Sequence, residues 1–219
     1  MLIGGTAHRA TRRGGPICAL AIAVLTSLAV APAPAAATPP AGPVAIEDVQ
    51  VHGANCRPGT VAVIVSPDKA AFTVLYSEYV AIAGGGATPS AAHQRCKLSL
   101  QVRVPATVTY AITKVDHRGF AELADGATGR QRASYQFQGD PPGAPVDHPF
   151  AGPLSDFWQV TDHASAPVYA PCGKIRKINI DTELIVSAGT SAATATSMLG
   201  MDATDGSVTS TYHFTWKPC

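Results

Sequence analysis

Lys97-Leu98-Ser99-Leu100-Gln101-Val102-Arg103-Val104 alternates polar and apolar residues without a break. Successive side chains of an extended chain point to opposite faces. Leu98, Leu100, Val102 and Val104 therefore share one face, and Lys97, Ser99, Gln101 and Arg103 share the other. One buried and one wet face is the pattern of an antiparallel sheet with solvent on one side. Pro105 closes the segment.

The same period recurs on both sides. Upstream, Thr60–Val65 leads into the turn sequence Ser66-Pro67-Asp68-Lys69, and Phe72, Val74 and Tyr76 share a face beyond it. Thr88-Pro89 has the form of a helix start, which predicts one short helix over Pro89–Arg95. Downstream, Val108, Tyr110 and Ile112 read as a strand closed by a polar turn at Asp116-His117-Arg118-Gly119. Further strands are expected over Arg130–Gln138, Asp156–Thr161, Ile175–Ser187 and Ser197–Met201. A last strand carries Tyr212, Phe214 and Trp216 on one face and ends at Cys219. Asp140–Pro153 holds five prolines and reads as a long loop. Many short strands without alternating helices predict an all-β fold, an antiparallel β-sandwich of jelly-roll or Greek-key-like type with at most one short helix.

The N-terminus is different. Arg9, Arg12 and Arg13 precede an apolar run from Ile17 to Ala31 and a small-residue exit at Ala35-Ala36-Ala37. That order is the layout of a secretory signal peptide. The run of about 15 residues is short of the roughly 20 that cross a bilayer as a helix. The expected organisation is a leader over 1–37, a Pro/Ala-rich lead over 38–48 and one sandwich domain over 49–219. Secretion follows from this layout, with no membrane insertion once the leader is removed. Of 16 basic residues three lie in the leader, leaving 13 against 15 acidic residues, so the whole chain's formal charge of +1 becomes −2. Such a balance lacks the basic excess that nucleic-acid binding requires. Charged residues make up 14% of the chain, well below the roughly 25% of average soluble proteins.

Four cysteines remain beyond the leader: Cys56, Cys96, Cys172 and Cys219. In an exported chain they read as two disulfides, with three connectivities to choose from. A strand out and back places Cys56 and Cys96 at the same end, which favours Cys56–Cys96. Cys172–Cys219 follows by elimination, and it requires a connection that crosses the domain.

These strands resemble the exported family known as domain of unknown function 4360. The resemblance runs from about Val49 to Cys219. It rests on Cys56-Arg57-Pro58-Gly59-Thr60, Ser66-Pro67-Asp68, Arg132-Ala133-Ser134-Tyr135-Gln136-Phe137-Gln138-Gly139, Asn179-Ile180-Asp181-Thr182-Glu183-Leu184, Met201-Asp202-Ala203-Thr204-Asp205-Gly206 and Thr211-Tyr212-His213-Phe214. It implies a secreted β-rich protein and supplies no activity, cofactor or catalytic residue. Asp181 stands where the resemblance leads one to expect Asn.

Chemistry-bearing residues are few. Asp181 and Glu183 alternate with apolar neighbours and should project from an outer sheet face, about 6.5 to 7 Å apart. That spacing borders the separations of glycosidase carboxylate pairs, and Glu78 is a lone further candidate. Asp202 and Asp205 offer hard oxygen ligands in a turn, of the kind calcium prefers. Trp158 lies in a polar context and is the candidate aromatic platform for a sugar. No nucleophile elbow, zinc-protease, phosphate-loop or dinucleotide motif occurs, and no cofactor is implied. The expectation is a non-catalytic extracellular binding or envelope-associated module, with a glycan or envelope component as partner. A carbohydrate-active hydrolase and a lectin-like sugar binder are the alternatives.

Overall fold

The computed structural model describes residues 38–201 and 209–219. Twelve strands lie within them: β1 (Ala45–His52), β2 (Val61–Val65), β3 (Ala71–Tyr76), β4 (Val80–Gly84), β5 (His93–Arg103), β6 (Val108–Leu123), β7 (Thr128–Phe137), β8 (Val146–Ala151), β9 (Leu154–His163), β10 (Lys177–Ser187), β11 (Thr196–Gly200) and β12 (Thr209–Pro218). They form two antiparallel sheets. The first runs β1-β5-β10-β7-β8. In the second, β2-β3-β12 leads to β6, whose first half pairs with β12 and whose second half pairs with β11 and then β4. Strand β9 covers the other edge of β6. From β5 onward the chain passes back and forth between the layers, as a β-sandwich requires. The expected helix reduces to a single 3-10 turn over Pro89–Ala92.

The alternation at Lys97–Val104 places Leu98, Leu100 and Val102 in the core opposite β10, whose Ile178, Ile180, Leu184 and Val186 are also buried. Strand β12 supplies Tyr212, Phe214 and Trp216 from the other layer. Phe72 and Tyr212 stack with ring centroids 4.6 Å apart. Cys56 bridges Cys96, and Cys172 bridges Cys219, with Cα separations of 5.3 and 5.8 Å. The crossing that the second bridge needs is the passage from β10 in the first sheet to β11 and β12 in the second.

Three expectations require correction. Strand β1 begins at Ala45, so the Pro/Ala-rich lead does not reach residue 48. Asp140–Pro153 is not all loop, because β8 pairs with β7 inside it. Proline is tolerated there because β8 is an edge strand with only one neighbour. Most importantly, Asp116–Gly119 is not a turn. Strand β6 runs straight through it, with Val115, His117, Gly119, Ala121 and Leu123 facing inward.

Candidate functional site

The inward parity of β6 buries His117 completely. Its Nδ1 lies 2.7 Å from Ser210 Oγ on β12, and its Nε2 lies 2.7 Å from the Tyr135 hydroxyl on the opposing β7. Tyr135 in turn donates to Asp162 Oδ2 at 2.5 Å, and His148 Nε2 on edge strand β8 lies 2.6 Å from Asp162 Oδ1. Edge strand β9 carries Asp162 inward, with its side chain 4% exposed. The five side chains therefore link both sheets, from the centre of the core to the β8/β9 rim.

Chemistry fixes the direction of this chain. Burial pushes the Asp162 carboxyl up, but hydrogen bonds from His117, Tyr135 and His148 outweigh it and bring it down to about 2. At neutral pH Asp162 is therefore an acceptor only. Tyr135 has one hydroxyl proton, which goes to Asp162, so its oxygen accepts from His117 Nε2–H. The other ring nitrogen, Nδ1, meets the Ser210 hydroxyl. Burial and the neighbouring Tyr212 and Asp162 raise the Tyr135 phenol well above its usual range, which keeps that proton in place. Ser210, His117 and Asp162 share residue types with a nucleophilic triad. Ser210 is fully buried, however, and no substrate can reach its hydroxyl.

Because the folded carboxyl lies below the unfolded value of about 3.9, Asp162 adds stability above pH ~4. That contribution, about 2 kcal/mol, disappears as pH falls through about 2. Urea unfolding between pH 6 and pH 2 should show a loss smaller by about that amount in Asp162→Asn than in the unmodified protein. Equal losses would contradict the assignment.

Asp162 and Tyr135 also line a cavity of about 580 Å³ between strands of the two sheets. Its walls are mainly apolar, with Ile112, Val115, Phe137, Val146, Val168 and Ile178 among them. Residues 140–144 from the β7–β8 connection and 163–168 after β9 contribute to its lining. Lys114 of the lining and Arg176, the partner of the lining residue Asp140, are both engaged. Lys114 Nζ lies 2.7 Å from Asp116 Oδ2, and Arg176 binds Asp140 and the Gln138 carbonyl. A second hollow of about 440 Å³ beside Arg130 and Ile185 has no buried titratable group in its lining.

The residues singled out from sequence lie elsewhere. Asp181 and Glu183 sit on the outer face of the first sheet. Arg95 binds Asp181 through both its Nε and its terminal nitrogen, and His93 Nε2 lies 2.7 Å from Glu183 Oε2. Neither carboxylate lines either cavity. Glu78 forms an exposed pair with Arg57 at 2.6 Å. Trp158 is only 7% exposed and packs against Phe150 with centroids 5.2 Å apart, so its faces are not available for stacking on a surface ligand. Its ring occupies the space that a side chain at Gly119 would need, since a Cβ there would meet Trp158 at 2.2 Å. The outward aromatic of β9 is its neighbour Phe157, at 62% exposure. Asp202 and Asp205 lie outside the described residues. No cluster of three or more His, Cys, Asp or Glu is arranged to hold a metal ion among the described residues.

Sequence reasoning placed His117 in a polar turn and His148 among scattered histidines, and it did not single out Tyr135 or Asp162. One signal was present for His117, which shares parity with Val115, Ala121 and Leu123. Nothing local marks Tyr135 or Asp162 as partners, because their meeting depends on how the sheets stack.

The fold and site define a disulfide-bonded, all-β antiparallel sandwich with a polar relay that ends at a cavity between its sheets. No helix among the described residues is long and apolar enough to cross a membrane. The chain belongs to the family described as domain of unknown function (DUF4360), which matches residues 43–219. An uncharacterized secreted protein of Arthroderma benhamiae (strain ATCC MYA-4681 / CBS 112371) is 28% identical over 176 residues, which cover 80% of this chain and 71% of that protein. Among solved structures, TmCBM61 in complex with beta-1,4-galactotriose aligns at a TM-score of 0.32 and 12% identity, over 78% of this chain and 88% of that one.

Proposed function

We propose that this protein is exported, loses its leader near Ala37, and acts outside the cell as a small-ligand binding module that uses the inter-sheet cavity. The observation that carries this reading is a mainly apolar chamber of about 580 Å³ with Asp162 and Tyr135 converging on it. Binding sites for small molecules are usually of this size, with apolar walls and a few placed polar groups. A carboxyl shifted by its surroundings and held in a cleft adds to the case. The signal-peptide layout and the secreted relative support export. The hydrolase alternative loses its basis, since Asp181 and Glu183 are engaged by Arg95 and His93 on an open face.

Nile red, a neutral apolar dye, tests the reading. Saturable fluorescence enhancement at one site is expected for the purified protein. It should be lost in Ala144→Trp, which puts a large ring in the cavity lining, and kept in Ile64→Trp on an exposed position of β2. No enhancement, or equal enhancement in both variants, would reject the cavity as the site.

A further inference from the structure

The cavity differs from an ordinary apolar pocket in the charge at its floor. Asp162 is ionised and nearly buried, and no lysine or arginine pairs with it among the described residues. Its partners are Tyr135 at 2.5 Å, His148 at 2.6 Å and, more distantly, His117 at 3.5 Å. A carboxylate offers about four lone-pair sites, so these contacts leave acceptor capacity. Lys114 and Arg176 are bound to Asp116 and Asp140 and do not supply a counter-ion to the floor. A negative charge in apolar surroundings attracts a cation more strongly than it would in water. Hydrogen bonds to ionised groups are also the strong ones.

Resting on the binding function proposed above, we infer that the cavity takes a ligand with an apolar body and a terminal protonated amine, whose ammonium group pairs with the Asp162 carboxylate. The apolar body lies against Phe137, Val146 and Ile178, and the ammonium donates to the lone pairs that Tyr135 and His148 leave open. Neutral analogues retain the wall contacts and lose the charge pairing. Anionic analogues meet repulsion at the floor.

Three probes of matched shape decide the matter: 4-phenylbutylammonium, 4-phenylbutan-1-ol and 4-phenylbutanoate, titrated calorimetrically at pH 7. The ammonium should bind roughly tenfold to hundredfold more tightly than the alcohol, and the carboxylate should bind weakest. In Asp162→Asn the ammonium should lose its preference over the alcohol. An alcohol or carboxylate that binds as tightly as the ammonium overturns the amine assignment while leaving the cavity as a binding site. An ammonium preference that survives in folded Asp162→Asn also overturns it. If none of the three binds, both the amine assignment and the cavity reading fail. The comparison on the unmodified protein stands by itself should the variant not fold.

Discussion

Replacing His117 by alanine should remove about 3 to 5 kcal/mol of stability, which is a large share of the 5–15 kcal/mol of a typical domain. His117 Nδ1 meets Ser210 Oγ and Nε2 meets the Tyr135 hydroxyl, each at 2.7 Å. Its removal leaves the fully buried Ser210 hydroxyl without its ring partner and takes a hydrogen bond from Tyr135. Each stranded buried group costs about 1–3 kcal/mol, and the void left by the ring adds to that. The members of the relay also polarise one another, so the loss should exceed that of an isolated pair. His213 provides the contrast. It pairs with Asp116 at 2.7 Å on the outer face of the second sheet, with its side chain about one-third exposed. His213→Ala should cost no more than about 1 kcal/mol. Urea unfolding of the two variants measures the difference, and equal losses would show that the relay adds no stability beyond a surface pair.

Opening either disulfide should cost about 4 kcal/mol. Cys56–Cys96 spans 40 residues and Cys172–Cys219 spans 47. Closing loops of that length in the unfolded chain accounts for roughly 4 kcal/mol each on the chain-entropy view. The two bridges hold different parts together. Cys56–Cys96 ties the β1–β2 connection to β5 of the first sheet, and both its residues are fully buried. Cys172–Cys219 ties the end of β12 to the segment before β10. That segment already lies along β6, where the Ala170 amide donates to the Tyr110 carbonyl, and the Cys219 amide donates to the Thr107 carbonyl just before β6. Cys172→Ala/Cys219→Ala should therefore fray the end of β12 as well as lower the unfolding midpoint. Denaturant titration measures the first effect, and hydrogen exchange at Trp216 and Lys217 reads the second. A midpoint unchanged by removing either bridge would contradict the estimate.

Where local pattern determines structure, the sequence was informative. Lys97–Val104 shows its buried face directly, and β10 and β12 do the same, because each lies between two strands with one face on the core. Asp116–Gly119 misled because Asp, His, Arg and Gly together have the composition of a turn. Only the continued parity through Ala121 and Leu123 marks a strand there. Strand β8 was hidden by prolines that an edge strand accommodates. Trp158 faces inward rather than outward, and its parity was obscured because β9 carries an inward carboxylate, Asp162, that breaks the apolar alternation. The relay and cavity were beyond local reading altogether. They join β6, β7, β8, β9 and β12 across two layers, and residue spacing along the chain does not specify which side chains meet across a sandwich.

The chamber lined by Asp162 and Tyr135 is the proposed binding site. Methyl-resolved NMR of the isotope-labelled protein, titrated with neutral 4-phenylbutan-1-ol, tests it most directly. Saturable shifts are expected at Ile112, Val115, Val146, Val168 and Ile178, with Val51, Val74 and Leu199 left unmoved. Shifts centred on the second group, or no saturable shift in the first, would contradict the claim.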